Sequence, residues 1–332
     1  ARYKEIYRRD WAAVRQERWS RQQKMGLLSG SLSEVERELG PPYAFPDHLE
    51  KLGDAEVNRP VKWDFMTDEQ REFQSIKMAI HAAMIDRMDQ EIGRVLDQLR
   101  AMKQLDNTLI FFLSDNGASA EIMVRDDGHD RSAAPGSAAT YLCLGPGWST
   151  TSNTPFRRHK TWTHEGGIST PLIVSWPEGI KARGKFRRNT GHVIDIAPSI
   201  LEAIGGVAPT TLNGKPVPTP PGTSLLPAFA NDGSVTHDSL WWFHDGHKAV
   251  RQGNWKLVAP KGEAWELYNL KTDRAESNDL SRKQPDRAKR LAALWDRKMA
   301  EFTELAKQDL PEPTGKGKAR SKKSRTGKKK SK

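Results

Sequence analysis

Between residues 67 and 99 apolar side chains return every three or four positions: Phe73, Ile76, Ile80, Met84, Met88, Ile92, Val95 and Leu99. That period predicts a long helix with one apolar stripe, and a stripe of this kind is expected to lie on a sheet. Thr67 and Gln70 have capping-box spacing, which sets the start of the helix. The pattern then changes. Asp106-Asn107 marks a turn, and residues 108–113 (TLIFFL) form an unbroken apolar run. Such a strand calls for cover on both faces, the habit of a parallel sheet between helix layers. Residues 171–177 (PLIVSWP) have the same character. Residues 193–204 read as a helix, with Pro198 in the first turn and Gly205-Gly206 ending it. Helix, buried strand, buried strand, helix is the order of an α/β protein.

The flanks read differently. Tyr7, Trp11 and Val14 predict an amphipathic helix within residues 1–28, and the Pro- and acid-rich residues 29–66 predict a long surface loop. Beyond the Pro-rich stretch 207–221, short strands are expected at 240–243, 248–251, 255–258 and 265–268. Asp245-Gly246 and Gly253-Asn254 supply turns between them, so a small antiparallel sheet is predicted. A charged amphipathic helix from about 285 to 307 closes it. The expected division is a helix and loop insertion (1–66), an α/β unit (67–230), a small α+β subdomain (231–310) and a tail (311–332).

Charge changes the picture less than its sum suggests. The formal net charge is +11, which invites a nucleic-acid partner. However, residues 315–332 (GKGKARSKKSRTGKKKSK) hold ten Lys or Arg and no acid, and without them the chain stands near +1. The basic character belongs to a tail that cannot bury enough apolar surface to fold. It is suited to polyanions or to solubility alone, and no specific nucleic-acid site is expected. One cysteine, Cys143, excludes an internal disulfide. No run reaches the ~20 apolar residues of a membrane span. The sequence opens without Met, in the middle of a helical pattern, as though cut from something longer.

Two segments could carry chemistry. Asp115 and Asn116 follow the apolar strand directly, where ligands of α/β sheets gather. Their oxygens are hard donors suited to Ca²⁺ or Mg²⁺, and Gly117 lets the backbone turn away. Asp-Asn-Gly is equally an ordinary turn sequence. The second segment is Arg157-Arg158-His159-Lys160, before Glu165-Gly166-Gly167. A lysine beside a metal-held anion would stabilise a developing oxyanion, although adjacent basic residues are commonly a solvated face.

Together the segments resemble a family. The strand ending in SDNG, then RxxKxxxxEGG leading to P-x-I-V-x-W-P, is similar to the formylglycine-dependent sulfatases (arylsulfatase type) of the alkaline-phosphatase superfamily. HVIDIAPSILEAIGG (192–206), GTSLLP (222–227), AVRQGNWKLV (249–258) and WELYNLKTDRAESNDL (265–280) extend the likeness over about residues 67–285. The resemblance implies a partial alkaline-phosphatase-like mixed or parallel sheet between helices, with residues 67–230 as the C-terminal half of the catalytic domain. It implies sulfate-ester hydrolysis on aryl or carbohydrate sulfates, Ca²⁺ (or Mg²⁺) held partly by Asp115 and Asn116, and sulfate bound by Lys160, with His159 as a lesser substrate-binding candidate. His129 and His164 receive no assigned role, packing being the expected one for His164. A periplasmic or secreted location is implied too. Cys143 sits in Cys-Leu-Gly-Pro-Gly, not in the C/S-x-P-x-R pattern that makes formylglycine, and is expected to be a buried thiol. The family's nucleophile, first acidic pair and catalytic histidine have no counterpart here, so the chain is expected to be a C-terminal part, inactive alone. A phosphodiesterase or phosphonate hydrolase of the same superfamily, or a non-catalytic remnant binding anionic glycans, stays open.

Overall fold

The computed structural model describes residues 2–43, 46–124 and 128–308; the basic tail lies outside them. A 3₁₀ turn at Glu5–Tyr7 leads to helix α1 (Trp11–Lys24), which Asp10 caps by accepting the Ala12 N–H. The predicted helix within 1–28 is thus shorter, and its apolar residues serve a tertiary purpose. Trp11, Trp63 and Trp148 meet edge to face at 5.4–6.1 Å. Trp148 belongs to α4 (Gly145–Ser152), and a Cβ on Gly147 would come within 2.5 Å of the Trp11 ring. Glycine there is what lets α1 and α4 approach. The stretch read as a surface loop therefore buries Trp63, Met66 and Leu52 and contains the short helix α2 (Pro46–Leu52).

Helix α3 (Asp68–Ala101) starts with the expected capping box between Thr67 and Gln70. The face it buries is not the predicted one. Gln74, Ser75, Lys77 and Met78 are inside, while Met84, Met88 and Val95 are exposed. The reason is long-range: Glu56, itself fully buried, accepts from Lys77 Nζ at 2.7 Å and from Gln74 Nε2 at 2.9 Å. Buried charge must be paired, and this pair selects the face that turns inward.

Strands β1 (Ile110–Leu113) and β2 (Leu172–Ser175) form a two-stranded sheet. They pair antiparallel, with Phe112 opposite Ile173, where the unbroken apolar runs predicted parallel neighbours. An apolar run reports a wish for cover on both faces and says nothing of the direction of its neighbour. That cover is partial: Phe111 packs on Phe229 of α7 (Leu226–Ala230), whereas Phe112 and Ile173 are 43% and 60% exposed. Between these strands lies α5 (Glu165–Ile168); α6 (Ile196–Ala203) follows, with Gly205 in the left-handed region after it. The hairpin β3–β4 (Thr211–Leu212, Lys215–Pro216) fills the Pro-rich stretch.

The C-terminal sheet matches its prediction closely. Strands β5 (Leu240–His244), β6 (His247–Gln252), β7 (Trp255–Ala259) and β8 (Glu266–Asn269) run antiparallel in chain order. Asp245 and Gly246 both have positive φ, the mark of a two-residue type I′ hairpin. Helix α8 (Pro285–Gln308) lays Leu291 and Trp295 over Val250, Leu257 and Leu267, all fully buried. The class is α/β, with small antiparallel sheets. No helix among the described residues is long and apolar enough to cross a membrane.

Candidate active site

The site is built where the turn after β1 meets the loop between α4 and α5. Ala118, two residues past Asn116, is gripped from several directions. Its carbonyl accepts the Lys160 backbone N–H at 3.1 Å and the Ser149 hydroxyl at 2.8 Å. Asn153 adds a cross-brace: its Oδ1 accepts from Ala118 N at 2.7 Å, and its Nδ2 donates to Ala118 O and Arg158 O. Gly117 N–H donates to Gly167 O at 2.9 Å. The two segments picked out in the sequence are thus one piece of backbone structure.

Glycine is obligatory at this junction. A Cβ on Gly117 would fall 1.8 Å from Gly166 O, one on Gly166 2.1 Å from Arg157 O, and one on Gly167 1.9 Å from Trp162 O. The loop around the lysine is also strained, since Arg158 (φ +67°) and Thr161 (φ +89°) flank it in the left-handed region. For a β-branched residue this is costly, and such strain persists only where surrounding contacts over-determine it.

The side chains divide into exposed and buried. Asp115 is exposed and Asn116 half-buried, and neither side chain has a hydrogen-bond partner among the described residues. Lys160 is 42% exposed, with Nζ 3.9 Å from Glu121 Oε2. His159, adjacent in sequence, points the other way. It is 2% exposed, with Nδ1 2.8 Å from Ser149 Oγ and its ring edge-on to Trp162 at 5.8 Å. Burial pushes its pKa down to about 4, so the ring is neutral. The geometry gives His159 a bracing place beneath Lys160. His164 is fully buried with Nε2 3.0 Å from Glu266, and His129 Nδ1 accepts from Tyr141 N. Cys143 is partly buried and donates to Met123 O.

Arg157 and Arg158 are not a solvated face. Both pair with Glu36, and Arg157 also reaches Tyr268 OH and Glu276 O on the C-terminal sheet side. Asn153, Ser149 and Glu36 were missed in the sequence. Short polar side chains bonded to distant backbone leave no periodic or motif signal.

As a metal site the tip is incomplete. Among the described residues no group of three or more His, Cys, Asp or Glu could hold an ion. Asp115 and Asn116 offer hard oxygens without partners among the described residues, right in kind for Ca²⁺ and short of the six to eight it takes.

Comparison with known proteins bears on the family of the chain. The sulfatase family model matches residues 45–207, and the model for the C-terminal part of N-sulphoglucosamine sulphohydrolase matches 157–304. An uncharacterized sulfatase of Schizosaccharomyces pombe is 29% identical over 291 residues, 81% of this chain and 51% of its own. The arylsulfatase of Klebsiella aerogenes is 35% identical over 176 residues, 49% of this chain and 37% of its own. The N-acetylglucosamine-6-O-sulfatase of Bacteroides thetaiotaomicron is 23% identical over 262 residues, 75% of this chain and 38% of its own. The chain spans about half the length of these relatives or less. By its two family matches, which run together from residue 45 to 304, the chain belongs to the sulfatase family.

Proposed function

We propose that this chain is the part of a sulfatase that grips the sulfate of an aryl or carbohydrate sulfate ester. One observation carries the reading: the Lys160 N–H bonds Ala118, two residues from Asn116, so a flexible cation and two oxygen-bearing side chains rise from one rigid base. Lys160 would bind a sulfate oxygen and offset charge that grows as the ester S–O bond breaks. Its contact to Glu121 is long and partly solvated, so an anion can displace it. Asp115 and Asn116 would supply part of the coordination of Ca²⁺ (or Mg²⁺), the remaining oxygens coming from outside this chain. Such an ion, when bound, neutralises sulfate charge. His159 stays neutral and holds the loop from below.

The nucleophile, of the formylglycine type by family resemblance, is assigned outside these 332 residues, which contain no C/S-x-P-x-R sequence. Sulfated sugars are favoured as substrates by the N-acetylglucosamine-6-O-sulfatase and N-sulphoglucosamine sulphohydrolase relatives.

The test is turnover of p-nitrophenyl sulfate and of a 6-O-sulfated glucosamine by the protein isolated from its own source. Calcium-dependent sulfate release is expected, falling about 10²–10³-fold in Lys160→Ala. Unchanged turnover in that variant, or hydrolysis of a phosphodiester in preference to every sulfate ester, contradicts the proposal.

A further inference from the structure

The C-terminal sheet and the turn after it reach into the base of the site through three charged side chains that meet a fourth, Glu165 of α5. Lys256 is the second residue of β7 and is fully buried, which a lysine tolerates only with anions around it. Its Nζ is 3.0 Å from Glu165 Oε1 and 2.8 Å from Glu276 Oε1. Arg274, in the turn after β8, closes on the other oxygen of Glu165 through Nε at 3.1 Å and Nη2 at 2.8 Å; Nη2 also donates to Ser169 Oγ at 2.9 Å. Glu276, in the left-handed region at φ +53°, accepts the backbone N–H of Glu165 at 2.7 Å. Burial alone would push the Glu165 carboxyl up, but Lys256 and then Arg274 hold it well below the usual carboxylate range. Two cations and two anions balance.

Glu165 opens α5, and the two residues after it are the glycines locked against the site. Gly166 N–H donates to Arg157 O, and Gly167 O receives the Gly117 N–H. With carbonyls about 2 Å from where each Cβ would be, the glycines have no room to absorb a shift of Glu165. Movement there passes to Gly117, beside the oxygen donors, and to the loop that bears Lys160. An ion cluster meant only to join two cores could sit anywhere along the boundary. This one ends on the residue from which the site's base is suspended.

We infer that Lys256 and Arg274 are positioning residues for the strand-tip site, acting through Glu165 so that the C-terminal sheet sets the placement of Lys160 against Asp115 and Asn116. This rests on the reading of those three residues as the sulfate-gripping site. Neither cation touches that site itself. Residue types so separated in sequence give no motif for the pairing; only the fold brings position 165 to position 256.

The test is amide hydrogen exchange in the full chain, comparing Gly117, Lys160 and Gly166 with Val250 and Leu257 of the C-terminal sheet. Arg274→Gln is the first variant, because Arg274 is partly exposed and its loss leaves Lys256 in place. Lys256→Met with Glu276→Gln is the second, keeping the cluster neutral. Exchange at Gly117 and Lys160 is expected to quicken at least about tenfold, with Val250 and Leu257 changed less than about twofold. Arg274→Lys should restore part of the protection. Unchanged exchange at Gly117 and Lys160, or an equal rise at all five amides, overturns the inference. Exchange is read whether or not an ester is turned over. Failure of the functional reading would therefore show in wild-type turnover, and failure of this inference in exchange.

Discussion

The two sheets that frame the site are made of similar apolar strands and end in opposite states. In the C-terminal sheet Ala249, Val250, Leu257, Val258 and Leu267 are fully buried: α8 covers the face of Val250, Leu257 and Leu267, and on the other face Ala249 and Val258 pack with Tyr268 and Leu270. In the β1–β2 pair Phe112 and Ile173 stand opposite one another and half in solvent. Apolar sequence is thus necessary for a core and not sufficient. What decides is whether the same stretch of chain brings its own cover. The closed sheet then does more than stabilise itself: through Glu165 it holds the base of a site whose own strands are open.

The sharpest way to break this contrast is to hollow out the closed side. Trp295 stacks on Trp241 at 5.7 Å and donates from its indole to Trp242 O. Trp295→Ala should cost about 4 kcal/mol in denaturant unfolding followed by Trp fluorescence. A loss below about 1 kcal/mol would mean that α8 is a loose cover and the two sheets are not so different.

Acid should act next, at the base of the site. His159 has a folded pKa near 4 against an ordinary 6.5. The folded state then binds fewer protons than the unfolded one between those values, so stability is full above pH 6.5 and falls as pH drops toward 4. The expected loss is on the order of 3 kcal/mol. Glu266, held at about 2, and Glu165, held well below its usual range, lose their contribution only at lower pH, below about 4.5. Thermal melts of wild type and His159→Gln from about pH 7 down to about pH 2 separate the two ranges. A flat profile in wild type removes His159 from the account.

Much of the closed side was legible in the sequence. Asp245-Gly246 announces a hairpin, and short runs such as Trp255-Lys256-Leu257-Val258 fall between turn signals, so each strand was found within a residue or two. The open side was harder. An unbroken run such as residues 108–113 cannot tell a parallel neighbour from an antiparallel one. Nor could the stripe on α3 reveal that Glu56, upstream in the chain, turns Lys77 inward. For the site, Asp115, Asn116 and Lys160 were singled out at the strand tip and in the basic segment, and the family resemblance gave them their expected roles. Their shared base at Ala118 depends on Asn153 and Ser149, whose contacts are set by the tertiary fold alone.

Two smaller effects sharpen the comparison. Glu121→Gln removes the carboxylate 3.9 Å from Lys160 Nζ and should raise affinity for sulfate about two- to fivefold by isothermal titration. No change would show that Glu121 does not compete for the lysine. Ile173→Ser, on the open strand, should shift stability by less than about 0.5 kcal/mol while reducing binding of a hydrophobic dye. A large loss of stability would mean that β2 is covered after all.

The distance between the lysine amine and the oxygen donors is best measured with manganese as a paramagnetic probe of the proposed cation site. Lysines of the full chain are ¹³C-dimethylated, and the Lys160 signal, assigned by Lys160→Arg, is followed as Mn²⁺ is added. The account predicts that this signal broadens ahead of the other lysines and that Asp115→Ala abolishes the effect. A Lys160 signal that stays sharp at Mn²⁺ levels that broaden lysines elsewhere would contradict it.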